Sequence, residues 1–138
     1  MISRTSTFIL LITLIFTATS CGKYEDGPSF SLKSKKARIT NKWKPVKVYF
    51  NGDEQPILDD GDSFIEISKN SDYRYFYQNR YLTWDYSGEW KFYDSKKKII
   101  VTLDASIDTL TILRLTKDEF WVSNSLTGGV WETHYEAY

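Results

Sequence analysis

Hydrophobic and polar residues alternate along most of the chain after residue 42, in short runs separated by turn-forming residues. The clearest run covers residues 86–92 and places Tyr86, Gly88, Trp90 and Phe92 on one face, which is the pattern of a half-buried β-strand. Seven other runs carry a similar signal. The predicted strands are residues 43–50, 64–68, 73–77, 86–92, 98–103, 107–116, 119–123 and 130–138.

The order of these strands predicts an all-β fold. Short turns join each strand to the next, so the strands are expected to form an up-and-down antiparallel sheet. Closing that sheet on itself removes its two exposed edges, which would otherwise pair with other chains. We therefore expect one eight-stranded antiparallel β-barrel domain, preceded by a short helical segment, over residues 31–138.

The first predicted strand contains a proline. Pro45 has no amide hydrogen to donate to a neighbouring strand, so it belongs at an edge or a bulge. Simple alternation places three apolar residues, Val46, Val48 and Phe50, on one face and Trp43 on the opposite face. The pattern therefore predicts that Trp43 and these three apolar residues lie on opposite faces of the strand.

The segment after the first strand is acidic. Asn51-Gly52 predicts a tight turn. Residues 53–62 then contain four Asp, one Glu, a Pro and a Gly. This composition predicts a loop over the whole segment.

A short helix is expected ahead of the barrel. Residues 31–41 are rich in helix-favouring side chains, and Ser34 is positioned to cap the first turn. Leu32, Ala37 and Ile39 are expected to share one face. A helix this short is marginal by itself, so its stability must come from docking against the barrel.

The first 20 residues have the pattern of a secretory signal peptide. Arg4 provides a positive start, residues 8–16 are apolar, and small residues precede Cys21. The apolar run is shorter than the roughly 20 residues that a membrane-spanning helix needs. Cys21 is the only cysteine, and its place at the expected cleavage point indicates lipid attachment. The alternative is an ordinary secreted protein, and a disulfide framework is excluded.

Removal of residues 1–20 leaves a mature chain of 118 residues, of which residues 21–30 are polar and are expected to form a flexible tether. The rest is enough for one domain. The mature chain carries 17 basic and 18 acidic side chains, a balance that does not point to a nucleic-acid partner. Aromatic residues make up 17% of the sequence and fall in predicted strands, where large flat side chains pack well.

The segment around Cys21 resembles a known processing motif. Ala18-Thr19-Ser20-Cys21 resembles the lipobox of bacterial lipoproteins, whose cysteine becomes acylated. The resemblance implies a protein held to the outer membrane by acyl chains such as palmitate, on the periplasmic or the exterior face. Lys23-Tyr24-Glu25-Asp26 is similar to a surface-export signal, and the alternative for it is a solvated linker.

The rest of the chain resembles the lipocalin-like domain of small bacterial lipoproteins. The likeness is carried by residues 35–39 leading to Trp43, by residues 86–90 and by residues 110–120. Lipocalins carry a glycine two residues before the tryptophan, and this chain has Asn41 there, so the likeness is to the lipocalin-like group. It implies a barrel at the cell envelope that holds a ligand or binds a partner.

Catalytic and metal-binding patterns are weak throughout the sequence. His134 is the only histidine, and Glu132 and Glu136 share its face of the last predicted strand. No cysteine or second histidine completes a zinc-type set, and no glycine-flanked serine provides a nucleophile. Residues 59–62 resemble a calcium loop in composition but lack its spaced ligands. We expect no enzymatic activity, no metal and no cofactor.

The aromatic residues are the remaining functional candidates. A barrel of about eight strands is either filled by side chains or holds one small ligand. For a small apolar ligand or lipid, the expected lining residues are Trp43, Tyr86, Trp90, Phe92, Leu113 and Trp121. A packed barrel would instead be an interaction module that binds an envelope protein or a glycan through its loops and exposed aromatic residues. The candidates for such exposed aromatics are Tyr73, Tyr75, Trp84 and Trp121.

Overall fold

The computed structural model describes residues 32–57 and 61–138, which form one short helix and nine strands. The helix α1 spans Lys35–Ile39. The strands are β1 Asn41–Phe50, β2 Asp53–Gln55, β3 Gly61–Ile67, β4 Asp72–Asn79, β5 Thr83–Tyr93, β6 Lys98–Leu103, β7 Ser106–Leu115, β8 Glu119–Leu126 and β9 Gly129–Ala137. The predicted signal peptide, Cys21 and the tether at residues 21–30 lie outside the described residues.

Antiparallel pairing closes the strands into a barrel. Strands β3 to β9 pair in sequence order, β1 pairs with β3, and β9 returns to pair with β1. The barrel therefore has eight strands, β1 and β3 to β9, and β2 extends one edge of β1 as a short hairpin. The predicted all-β, eight-stranded antiparallel barrel with a short helical segment is confirmed.

The acidic segment after β1 is not a loop throughout, contrary to the prediction from its composition. Asn51 and Gly52 have positive φ angles of 50° and 87°, which suit a tight hairpin turn. This turn lets β2 pair with residues 48–50 of β1. That half of β1 is open to β2 because β3 pairs only with residues 41–43.

A bulge in β1 corrects the predicted faces of this strand. The register of β1 against β9 shifts between Pro45 and Lys47, so Val46 is the additional residue of a bulge. Val46 is 37% exposed, whereas Trp43 is fully buried. Trp43 therefore faces the interior together with Val48 on the far side of the bulge, and the prediction of opposite faces was wrong. The predicted position of Pro45 next to a bulge is confirmed.

Helix α1 is capped as predicted and packs on the barrel. Ser34 Oγ accepts a hydrogen bond from the Ala37 amide at 3.1 Å. Ile39 is buried, and its carbonyl accepts a hydrogen bond from Trp43 Nε1 at 2.9 Å. Leu32 is 92% exposed and Ala37 is also exposed, so the prediction that they share the docked face of Ile39 was wrong.

Two basic side chains join α1 to one end of the barrel. Lys35 Nζ donates a hydrogen bond to the Lys96 carbonyl, and Arg38 Nη1 donates one to the Leu115 carbonyl, each at 3.3 Å. We call this end, formed by α1 and the turns at residues 68–71, 94–97 and 116–118, the closed end. The open end lies opposite and is formed by the turns at residues 51–52, 80–82, 104–105 and 127–128.

The packed core fills the half of the barrel next to the closed end. Trp43 and Phe120 are its largest fully buried side chains, with ring centroids 5.5 Å apart. Trp90 is also buried, and its Nε1 donates a hydrogen bond to the Ser68 carbonyl at 2.9 Å. The core consists of Ile39, Trp43, Ile65, Ile67, Tyr73, Trp90, Ile99, Val101, Ile112, Leu115, Phe120 and Val122.

Two tryptophan substitutions test the division between the two ends. Trp43→Ala is expected to lower the free energy of unfolding by about 3–5 kcal/mol, because it empties the centre of the packed core. Trp84→Ala removes a ring near the open end that is 44% exposed, so a loss of about 1 kcal/mol is expected. Urea unfolding followed by far-ultraviolet circular dichroism measures both. Equal losses would contradict the division.

Candidate functional site

A cavity of about 450 Å³ occupies the half of the barrel next to the open end. This volume lies in the range of small-molecule sites, and a packed core would leave few voids larger than a water molecule. The walls come from β1, β3, β4, β5, β9 and the segment after β2. The described lining residues are Pro45, Val48, Pro56, Ile57, Ser63, Phe64, Ile65, Tyr75, Tyr77, Trp84, Trp131 and Tyr135.

Strand β4 provides three tyrosines on the interior face. Tyr73, Tyr75 and Tyr77 are spaced two residues apart, and alternate side chains of a strand share a face. Tyr73 belongs to the packed core, whereas Tyr75 and Tyr77 line the cavity. Burial raises the pKa of Tyr75, and its neighbour Tyr86 adds to the rise. β4 therefore runs from the packed half of the barrel into the hollow half.

Two tryptophans flank the mouth of the cavity. The Trp84 ring lies 5.2 Å from that of Tyr77 between centroids, and the Tyr77 hydroxyl accepts a hydrogen bond from Asn79 Nδ2 at 2.9 Å. On the opposite wall, the Trp131 ring lies 4.8 Å from that of Phe50. β5 and β9, which carry the two tryptophans, are four strands apart in the ring of eight.

Tyr135 lies between the cavity and the core. Its ring stacks on Phe120 with centroids 5.9 Å apart and also lines the cavity. Burial raises the pKa of its hydroxyl to about 12, Tyr75 adds to the rise, and a hydrogen bond with Thr133 opposes it. Burial likewise raises the pKa of Tyr73 well above its ordinary value. The cavity floor is therefore polar and uncharged over a wide pH range.

One carboxylate faces the barrel interior beside this tyrosine cluster. Asp108 pairs with Val101, which is buried in the core, and directly opposed residues of antiparallel strands share a face. The preceding Ile107 is 70% exposed, as alternation requires. Asp108 contributes to the raised pKa of Tyr73. Among the described residues it has no ion-pair partner.

The residues predicted to contact a ligand are not among those that line this cavity. Trp43 and Trp90 belong to the packed core, and Phe92 packs against it. Tyr86 lies nearest to the cavity, because its ring stacks on that of Tyr75 at 6.4 Å between centroids.

The last two predicted residues lie further away. Leu113 is the additional residue of a bulge in β7, where the register shifts between Ile112 and Arg114. Trp121 stacks on the ring of His134, on the outer face. A ligand contact by any of the six predicted residues stays a prediction.

Several cavity residues were not predicted from the sequence. Tyr77, Trp131 and Tyr135 were absent from the predicted lining, and Tyr75 and Trp84 were considered only as surface aromatics. A usable signal was present, because tyrosines occupy every second position in residues 73–77, and Trp131 and Tyr135 share one face of the last predicted strand with Thr133. Alternation identifies the inward face and does not reveal which end of the barrel is packed.

The outer face of β9 holds the only histidine. The His134 ring lies parallel to that of Trp121, 3.9 Å away between centroids, and 5.2 Å from that of Tyr49. His134 Nε2 contacts Glu132 Oε1, and Glu136 is exposed. In the part of the chain that the structure describes, no three His, Cys, Asp or Glu side chains are placed to hold a metal ion.

Comparisons with protein-family models and with curated proteins gave no match for this chain. Within residues 32–57 and 61–138, no helix is both long and apolar enough to cross a membrane. The fold and the cavity define the class of protein as a small antiparallel barrel with a hollow open end.

The buried Tyr135 hydroxyl predicts a loss of stability at alkaline pH. An unfolded tyrosine ionises near pH 10, so between about pH 10 and about pH 12 the unfolded chain releases a proton that the folded chain keeps. The free energy of unfolding therefore falls as the pH rises through this window, by about 3 kcal/mol for Tyr135. Urea unfolding at a series of pH values is expected to show a smaller fall in Tyr135→Phe. An equal fall in both proteins would contradict the buried hydroxyl.

Proposed function

We propose that this chain is a non-catalytic, lipocalin-like lipoprotein of the bacterial cell envelope that binds a small apolar ligand or lipid. The proposal rests on the cavity of about 450 Å³ at the open end. Aromatic and aliphatic walls favour apolar ligands, and a few polar groups suffice to orient them. The hydroxyls of Tyr75 and Tyr135 are such groups.

The alternative is an interaction module with a packed barrel, which would bind a protein or a glycan through its surface. In the described residues, however, side chains fill only the half of the barrel next to the closed end. Of the aromatic residues considered for surface binding, Tyr73 is buried and Trp121 is covered by the His134 ring. Trp84 is exposed, but it stands at the mouth of the cavity. Ligand binding is therefore better supported.

The start of the described chain and the cavity lie at opposite ends of the barrel. The described chain begins at Leu32 and enters the barrel through α1 at the closed end, so the proposed anchor on Cys21 would connect to the barrel through that end. The connecting segments of the closed end are strongly basic. Together with α1 they carry Lys35, Lys36, Arg38, Lys69, Lys96, Lys97 and Lys117, against Asp94 and Asp118.

This charge supports an orientation relative to the membrane. A basic group close to anionic head groups contributes about 1 kcal/mol to binding. The proposed lipoprotein would therefore rest its closed end on the outer membrane, on the periplasmic or the exterior face. The cavity mouth would then point away from the membrane, where a ligand can enter from solution.

A matched pair of serine substitutions tests ligand binding. Ser63→Trp adds a ring to the cavity wall, whereas Ser87→Trp adds one to an exposed position of β5. The neutral fluorophore N-phenylnaphthylamine is expected to bind the parent chain and to quench its tryptophan fluorescence, since Trp84 and Trp131 line the cavity. Ser63→Trp should weaken binding by about tenfold or more, which corresponds to about 1.4 kcal/mol.

Ser87→Trp should bind the fluorophore as the parent does. No binding to the parent, or equal binding by the two variants, would favour the interaction module with a packed barrel.

Removal of the single cysteine tests the anchor. Stable anchoring takes more than one acyl chain, and Cys21 is the only thiol in the sequence. Cys21→Ala is expected to move the full-length protein from the membrane fraction to the soluble fraction in cell fractionation, and mass spectrometry of the parent should show acyl groups on Cys21. A Cys21→Ala protein that still partitions with the membrane would disprove lipid anchoring at this residue.

A further inference from the structure

The cavity lining lacks charged side chains among the described residues. It consists of aromatic, aliphatic and proline side chains with Ser63 as the one hydroxyl outside the tyrosines. A carboxylate brought into such a site would lose its water and find no cationic partner, which is costly. Phenol hydroxyls can donate hydrogen bonds to it, but they supply no opposite charge. The lining therefore disfavours fatty acids bound with the carboxylate inside.

The same lining suits a positive charge. Aromatic faces carry negative potential and attract ammonium groups, most strongly where water is excluded. Six of the described aromatic residues line the cavity, and the ring of one of them, Phe64, stacks on that of Phe76. The other five converge on the cavity from three different strands. These side chains are Tyr75, Tyr77, Trp84, Trp131 and Tyr135.

A carboxylate faces the barrel interior from another strand, β7. The side chain is that of Asp108, which interacts electrostatically with Tyr73. Tyr73 in turn interacts electrostatically with Tyr75 and Tyr135 of the cavity. Asp85, by contrast, is neutralised on the outer face by two hydrogen bonds from Arg74, each of 2.8 Å. Asp108 is thus a negative charge available to the interior.

The rim of the open end adds to the same electrostatic preference. Asp53, Glu54 and Asp104 are exposed in the turns and the hairpin of this end, and Arg80 is the basic residue of its described turns. A mouth of net negative charge attracts cations and repels anions. The rim, the aromatic walls and the interior carboxylate all favour a positively charged ligand.

We infer that the cavity binds amphiphiles whose head group is an amine or a quaternary ammonium, in preference to those with a carboxylate. The inference rests on the proposed function, because it concerns the same cavity. The aromatic walls would surround the ammonium group, and the apolar part of the ligand would contact Val48, Ile57 and Ile65.

Three probes with one alkyl chain test the head-group preference. Dodecyltrimethylammonium, dodecanol and dodecanoate share the chain and differ in charge, and each displaces bound N-phenylnaphthylamine if it occupies the cavity. Dodecyltrimethylammonium is expected to displace the fluorophore at about tenfold lower concentration than dodecanoate, with dodecanol between them. The cavity-filled Ser63→Trp chain should show displacement by none of the three.

Substitution of the interior carboxylate tests the source of the preference. Asp108→Asn is expected to weaken the binding of dodecyltrimethylammonium by about threefold to tenfold and to leave the binding of dodecanol unchanged. Asp94→Asn removes a carboxylate at the closed end in the same way and should leave the binding of all three probes unchanged. Asp108→Glu, which keeps the charge, should keep the preference, and its binding of the fluorophore reports that the barrel is intact.

The outcomes separate this inference from the proposed function. If the fluorophore binds and dodecanoate displaces it as well as or better than dodecyltrimethylammonium, the head-group inference is overturned while the cavity still binds ligands. The head-group inference is likewise overturned if Asp108→Asn and Asp94→Asn bind the three probes alike. If neither the fluorophore nor any probe binds the parent, the proposed ligand binding itself fails.

Discussion

Pairing of β1 with β9 closes this barrel, and the bulge at Val46 makes that closure compatible with the interior. Shifting a strand by one residue moves all its side chains to the other face. The extra residue in β1 makes one such shift within the strand, so that Trp43 fills the core near α1 and Val48 lines the cavity. A regular β1 would have turned one of these two residues out to solvent. One irregular position therefore serves both halves of the barrel.

The two halves of the interior differ in chemistry, and this difference accounts for the hollow. The core near the closed end is mostly aliphatic, and its two tryptophans bond backbone carbonyls through their indole nitrogens. The other half contains the hydroxyls of Tyr75 and Tyr135, and the Asp108 carboxylate faces the interior from β7. Such groups are costly to bury without hydrogen-bond partners, and packed aliphatic side chains offer none. The Tyr135 hydroxyl forms a hydrogen bond with Thr133, and a space that admits water or a ligand with polar groups can serve the remaining hydrogen-bonding capacity of the hydroxyls.

Much of the fold was predictable from local patterns, because strand alternation, turn residues and the Ser34 cap are short-range features. The strand predicted at residues 98–103 has the bounds that the structure shows for β6. The bulges in β1 and β7 were not predictable, since they depend on pairing with β9 and β8. The cavity lining was not predictable for the same kind of reason: Trp90 and Tyr75 both point inward, and only the closed barrel shows that Trp90 lies in the packed core while Tyr75 lines the cavity.

The distribution of charge also follows from the order of the strands. The whole chain has 18 basic and 18 acidic side chains, so its composition suggests no charged surface. In an up-and-down barrel, however, every second connection lies at the same end. The connections containing Lys69, Lys96 and Lys117 therefore meet at the closed end with basic α1, while those containing Arg80 and Asp104 lie at the open end. Turns that are far apart in sequence thus form one basic end, and the cavity mouth lies at the opposite end of the barrel.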